Sequence, residues 1–204
     1  MGPKIVSLTP SRETPGTRSQ LIESGLTLFS QRGFDHVTVS EIALSVNAYP
    51  NQITHHFGGK EGLFVEAACR GVLRAAKKAE QRTRRSETPE DHTRALVSYL
   101  LGPADRFVMM FAEAMLMGRR SERLQTLVHQ TLDLLHEAGE AAMVDTFMRT
   151  GWTAHTSPDA ITRGFWAAIF GLAVQKAATG MAFEYANAEA VVLMMLKINT
   201  PDPD

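Results

Sequence analysis

Cysteine is nearly absent. Cys69 is the one cysteine in 204 residues, so no internal disulfide can form, and a reducing compartment is expected. At helical spacing this thiol reads as a small core residue. Charge of one sign is lacking too. The formal net charge is −1, which by itself announces neither nucleic acid nor a membrane surface. Long apolar runs are missing, whereas a bilayer span takes about 20 apolar residues. The most apolar stretch, 164–174, reads as a buried helix. At the N-terminus Ile5, Val6 and Leu8 are broken up by polar residues and Pro10, so a secretory leader is not expected. A cytoplasmic protein with no membrane partner follows. Strand-like alternation, repeats and low-complexity tracts do not occur, which leaves an all-α chain. No Ser/His/Asp order, carboxylate pair, phosphate loop or metal cluster is evident. No catalytic residue, cofactor or metal is therefore expected.

What is present is organised around 38–64. Thr38 begins a helix, and Glu41 completes a capping box. Val39, Ile42, Ala43 and Val46 give that short helix one apolar face. Asn47 stands where a tight turn needs a residue tolerant of left-handed angles. Pro50 suits the first position of a second short helix, to about His56. Phe57 points inward, and Gly58 and Gly59 break the chain. Two short helices across a tight turn match a helix-turn-helix, whose second helix enters the major groove. Asn51, Gln52, Thr54 and His55 supply polar, uncharged side chains for base edges. Lys60 and the free N–H groups of the next helix suit a DNA phosphate. Charge distribution agrees with one basic end. Residues 1–86 hold 12 Lys and Arg against 7 Asp and Glu, net +5, and residues 87–204 hold 9 against 15, net −6.

The spacing of Phe29, Gly33, Phe34, Thr38, Val39, Ile42, Ala43, Ile53, His56, Phe57, Lys60, Glu61, Leu63 and Phe64 resembles the DNA-binding domain of the tetracycline-repressor (TetR) family of bacterial regulators. The resemblance covers 17–65. It departs from the family pattern at Asn47, where the family has Gly, at Tyr49, where it has a small polar residue, and at Thr54, where it has a phosphate-touching Tyr. Tyr49 is the substitute expected to make that contact. The resemblance implies a DNA-binding set of Thr38, Tyr49, Asn51, Gln52, Thr54, His55 and Lys60.

Three segments are expected: an arm over 1–16, a three-helix helix-turn-helix domain over 17–65, and a helical regulatory and dimerisation domain over 66–204. Thr17 with Gln20 reads as a second capping box, and Arg18 as either a phosphate contact or a solvated residue. Helices are expected from Lys60 to about Arg85, from Thr88 to Gly102, Ala104 to Met117, Ser121 to Thr150, Ser157 to Gly180 and Asn187 to Asn199, nine in all. The last two carry more apolar surface than a monomer face needs, so they are expected to pair with a second copy. The resemblance implies the same. The expected dimer interface is Ile161, Phe165, Ala168, Gly171, Leu172, Val192 and Met195. Nine of the ten methionines follow residue 100, and flexible thioethers suit adaptable apolar sites. A pocket for a mainly apolar effector is implied by the resemblance, with Phe107, Phe111, Met115, Phe147, Trp152, Trp166 and Phe170 as its candidate lining. Glu113, His129, His136 and His155 are candidates to orient a polar group there. The reading is a ligand-responsive regulator, a repressor by family habit, bound as a homodimer to a palindromic duplex operator. On the residues alone, an all-α enzyme or a protein-interaction adaptor with an incidental helix-turn-helix stays open.

Overall fold

The computed structural model describes residues 16–151, 156–180 and 183–196. These contain nine α-helices and no strand. The 1–15 arm with Lys4 and Arg12, Trp152, His155 and the expected last turn to Asn199 lie outside the described residues.

A head of three helices comes first: α1 Thr17–Arg32, α2 Val39–Ser45 and α3 Pro50–Phe57. The long α4, Lys60–Thr83, leads from the head into the body. The body is α5 Pro89–Leu101, α6 Asp105–Gly118, α7 Glu122–Thr150, α8 Pro158–Thr179 and α9 Tyr185–Leu196. Side-chain caps start three of them. Thr38, Thr88 and Ser157 each accept a backbone N–H three residues on, which satisfies one of the four orphan donors of a helix start. Helix α1 corrects the sequence reading. Gly16 is the N-cap of α1, with no side-chain bond, and Thr17 is already helical. The Gly16 carbonyl accepts from Ser19 and Gln20 instead.

One continuous apolar core runs from the head through α4 into the body. Phe29, Phe34 and Phe64 pack edge to face and stacked at the head end, with Phe64 at 5.2 Å from Phe29 and 5.1 Å from Phe34. Two glycines let helices approach α4 or leave it. Leu63 lies against Gly25 of α1, and Leu26 and Phe107 close over Gly71 of α4. Two cations of α4 are tied down: Arg70 and Arg74 both reach Glu23 of α1, at 2.7 and 2.6 Å. Helix α4 thus grips the head by packing and by charge together.

Candidate nucleic-acid interface and effector cavity

The reader is built from its caps upward. Thr38 accepts from the Glu41 N–H at 3.2 Å, and Glu41 accepts from the Thr38 N–H at 2.8 Å. Arg32 donates to the same carboxylate at 2.9 Å. These bonds, the Thr38 hydroxyl first, hold the Glu41 carboxyl down at about 2. The Thr38 hydroxyl is therefore engaged in the cap, also donating to Glu41 at 2.7 Å. Asn47 takes φ 53°, the one positive value among described non-glycine residues, as the turn requires. Pro50 opens α3, and Gly58 closes it in the left-handed region at φ 77°.

Ile53 and Phe57 bury one face of α3. The other face leaves Asn51, Thr54 and His55 exposed and Gln52 half-buried. Positions 51, 54 and 55 lie at i, i+3 and i+4, so they share that outer face. Tyr49, just ahead of α3, is 76% exposed, and Leu44 at the end of α2 is 77% exposed. A polar helix face flanked by a tyrosine can offer paired hydrogen bonds to bases and an apolar contact to a thymine methyl. Lys60 begins α4 with its ammonium 4.2 Å from the centre of the Phe34 ring, so the cation is held beside the helix N-terminus rather than swinging free. Arg18, read either as a phosphate contact or as solvated, is engaged within the chain. It pairs with Glu66 of α4 and lies over the Phe57 ring, which links α1, α3 and α4.

Two arginines that the sequence reading passed over bind the head from the body. Arg123, in the first turn of α7, donates to the Phe57 carbonyl at the C-terminus of α3 and reaches Glu66 at 3.4 Å. Arg120 pairs with Glu61 at 2.6 Å. Gly62 makes room for this junction: a Cβ there would fall 1.9 Å from the Phe57 oxygen and 2.9 Å from the Arg123 guanidinium. The pairs are more than fifty residues apart in sequence, so no local pattern could reveal them.

A cavity of about 310 Å³ opens in the body between α4, α5, α7 and α8, within the range of about 300–1,000 Å³ usual for small-molecule sites. Its wall includes Leu73, Leu96, Leu135, Met143, Phe165 and Trp166. Of the expected lining, Trp166 is on this wall. Phe107 packs at Gly71, Phe111 lies tilted against Phe170 with ring centres 5.6 Å apart in the α6–α8 core, and Met115 and Phe147 pack against the core elsewhere. Glu113, His129 and His136 are also off the wall. Burial raises the Glu113 carboxyl, His129 faces Asp133 at 3.5 Å, and Arg163 sits 3.1 Å from His136. The histidine on the wall is His92, and no local pattern marks it because its neighbours there come from other helices. Among the described residues no His, Cys, Asp and Glu group suits a metal.

The seven residues expected between two copies divide. Ile161, Phe165, Leu172 and Val192 are buried within the single chain. Their helices α8 and α9 cover the core with that face, which the apolar count alone could not assign. Ala168 is half-buried, and Gly171 and Met195 are exposed. Beside them Ala167, Val174, Val191 and Met194 are exposed as well. No single described helix is long and apolar enough to cross a membrane.

The head and body together define a helix-turn-helix DNA-binding regulator with a cavity in its helical body. Comparison with known proteins agrees. Residues 21–67 match the TetR-family model of bacterial regulatory proteins, and residues 89–195 match the model for the C-terminal region of bacterial transcriptional repressors. A solved structure from Rhodococcus sp. RHA1, assigned as a transcriptional regulator, is 42% identical with TM-score 0.82, covering 90% of this chain and 96% of that one. The HTH-type transcriptional regulator BetI of Stenotrophomonas maltophilia is 32% identical over 133 residues, 60% of this chain and 67% of that protein. A regulator from Saccharomonospora viridis, solved in complex with choline, shares the fold at 17% identity and TM-score 0.66, covering 89% of this chain and 96% of that one. The chain belongs to the TetR family of transcriptional regulators. These relatives are regulators, not enzymes.

Proposed function

We propose that the protein is a homodimeric repressor that binds a palindromic operator and is released by a mainly apolar small molecule held in the body cavity. The observation that carries this reading is that α4 and α7 each belong to both ends. Helix α4 supplies Leu73, Ala76 and Ala79 to the cavity wall and Lys60 to the reader, while α7 supplies Leu135 and Met143 to the wall and Arg123 to the α3 carboxyl end. A ligand that favours one spacing of these helices biases the position of α3, and typical coupling is about 1–3 kcal/mol. The exposed apolar strip of Ala167, Gly171, Val174, Val191, Met194 and Met195 supports pairing through α8 and α9. Burying it as a four-helix seam removes apolar surface from water. Two-fold symmetry then sets two α3 helices about one DNA turn apart.

Thr38, Tyr49, Asn51, Gln52, Thr54, His55 and Lys60 form the reading set, with Thr38 acting through the cap and Asn51, Gln52 and Thr54 facing bases. The S. viridis relative holds choline, a quaternary cation. On this chain's cavity wall the carboxylate, Glu80, is accompanied by Lys77, so the wall has no net negative charge to draw a cation. An apolar effector fits better.

Selection of binding sites from random duplex DNA at fixed salt tests the reading. The expected result is an enriched palindrome with half-sites about one turn apart. A protein that stays folded and yields no enriched sequence would remove the operator-reading role.

A further inference from the structure

The cavity wall is apolar apart from Lys77, Glu80, His92, Thr93, Thr162 and the indole N–H of Trp166, a donor only. Lys77 and Glu80 lie three residues apart on α4, as neighbours on one helix face whose charges offset. Lys77 is exposed and Glu80 half-buried. The Thr93 hydroxyl is already used, donating to the Pro89 carbonyl at 2.8 Å. His92 and Thr162 remain, and they are 4% and 3% exposed.

Both have hydrogen-bonding capacity to spare. His92 Nδ1 lies 3.2 Å from the Thr83 carbonyl oxygen. A carbonyl only accepts, so Nδ1 carries the proton and Nε2 is left as an acceptor. Burial lowers the ring's affinity for a second proton, so the neutral form prevails at neutral pH. Thr162 is unusual among its kind. Thr83, Thr93, Thr131 and Thr146 each donate to the carbonyl four residues back in their helices. The Thr162 hydroxyl is buried with no partner. Its methyl lies over Gly139 of α7, where an added Cβ would come within 2.5 Å. A buried hydroxyl without a partner is costly, and a ligand that bonds it recovers that cost.

Resting on the reading of this cavity as the effector site, we propose that it takes an uncharged, mainly apolar alcohol or phenol, whose hydroxyl donates to His92 Nε2 and accepts from Thr162. A hydroxyl is one donor and one acceptor, which is the complement of those two groups. A carboxylate only accepts and meets an acceptor at Nε2. A quaternary ammonium has neither function. Either ion would also give up its hydration in an apolar space.

Three probes share one alkyl body and differ in the head: decanol, decanoate and decyltrimethylammonium. The full-length chain carrying Trp152→Phe has Trp166 as its sole tryptophan, and titration follows Trp166 emission. Decanol is expected to bind about tenfold more tightly than either ion, a difference of about 1.4 kcal/mol. Thr162→Val and His92→Phe should each cut that preference to a few-fold or less. Thr162→Val, which removes the unpartnered hydroxyl at nearly constant shape, should also raise the melting temperature of the free protein. If His92→Phe fails to fold, Thr162→Val decides alone. Equal or tighter binding of decanoate or decyltrimethylammonium overturns the alcohol class and leaves the cavity as the effector site. A decanol preference unchanged in Thr162→Val also overturns it. No Trp166 response to any probe overturns both the class and the cavity reading.

Discussion

Helix α3 in the head and helix α8 in the body use surface in opposite ways. Helix α3 buries two apolar residues, Ile53 and Phe57, and turns polar side chains outward. Helix α8 buries eight residues and still leaves Ala167, Gly171 and Val174 in the open. An exposed polar face is adapted to a hydrated, charged partner. An exposed apolar face is adapted to another apolar face. The contrast fits the two partners proposed, DNA at one end and a second copy at the other, and it is open to test at both.

The largest expected effect tests the α8 end. Gly171 has open space around it, so Gly171→Glu should fold normally yet place a charge in the proposed seam. Monomers by light scattering and a loss of operator affinity of at least several kcal/mol are expected, because buried unpaired charge is costly. A dimer that persists would move the interface off α8 and erase the contrast with α3. Next comes Gly62→Ala. Its Cβ meets backbone rather than a flexible side chain, and overpacking of this kind costs about 1–3 kcal/mol. Urea unfolding should show lower stability, with DNA binding reduced beyond that of Gly171→Ala, which has room to spare. Equal stability of the two alanine variants would mean that the Phe57–Arg123 junction is loose.

Gln52→Ala sharpens the α3 side. It should cost about 1–3 kcal/mol at the operator and relax the preference at one base position. A uniform loss across all sequences would remove Gln52 from base reading. Arg123→Ala probes the link between ends. Arg123 is half exposed, so its bond to the Phe57 carbonyl contributes about 1 kcal/mol. Operator affinity should fall by that amount while the body's unfolding midpoint hardly moves, and effector response should weaken. The reverse pattern would make Arg123 a brace and not a link. Smallest is Lys60→Ala, which should lower the slope of log affinity against log salt by about 1. An unchanged slope would take Lys60 out of the phosphate contacts.

The head was the more legible half because its determinants are local. Thr38 with Glu41, Asn47 at the turn, Pro50 and Gly58 each act within a few residues, and each stands in the structure as its chemistry requires. The false note was also local. Thr17 and Gln20 have the right spacing for a capping box, but Gly16 takes the cap position, and spacing does not say where the first turn begins. The body was legible as helices and illegible as faces. Leu172 and Gly171 are adjacent in sequence, one buried and one exposed, and on a helix apolar on nearly every side no period separates them. Phe165, expected against a partner, is on the cavity wall with Trp166, while Phe107 and Phe111 sit in tight packing elsewhere.

The amino-acid sequence by itself determined the all-α class, the capped helix starts at Thr38, Thr88 and Ser157, and the polar outer face of α3, because caps, turns and amphipathic spacing are written over three or four residues. Tertiary structure alone decided which residues enclose the cavity, that the Thr162 hydroxyl on its wall is buried without a partner, and that Arg18 and Arg123 both meet Glu66 and Phe57 at the end of α3. Those facts depend on which distant helices meet, and long-range contact between near-equivalent apolar faces is settled by packing the whole chain at once.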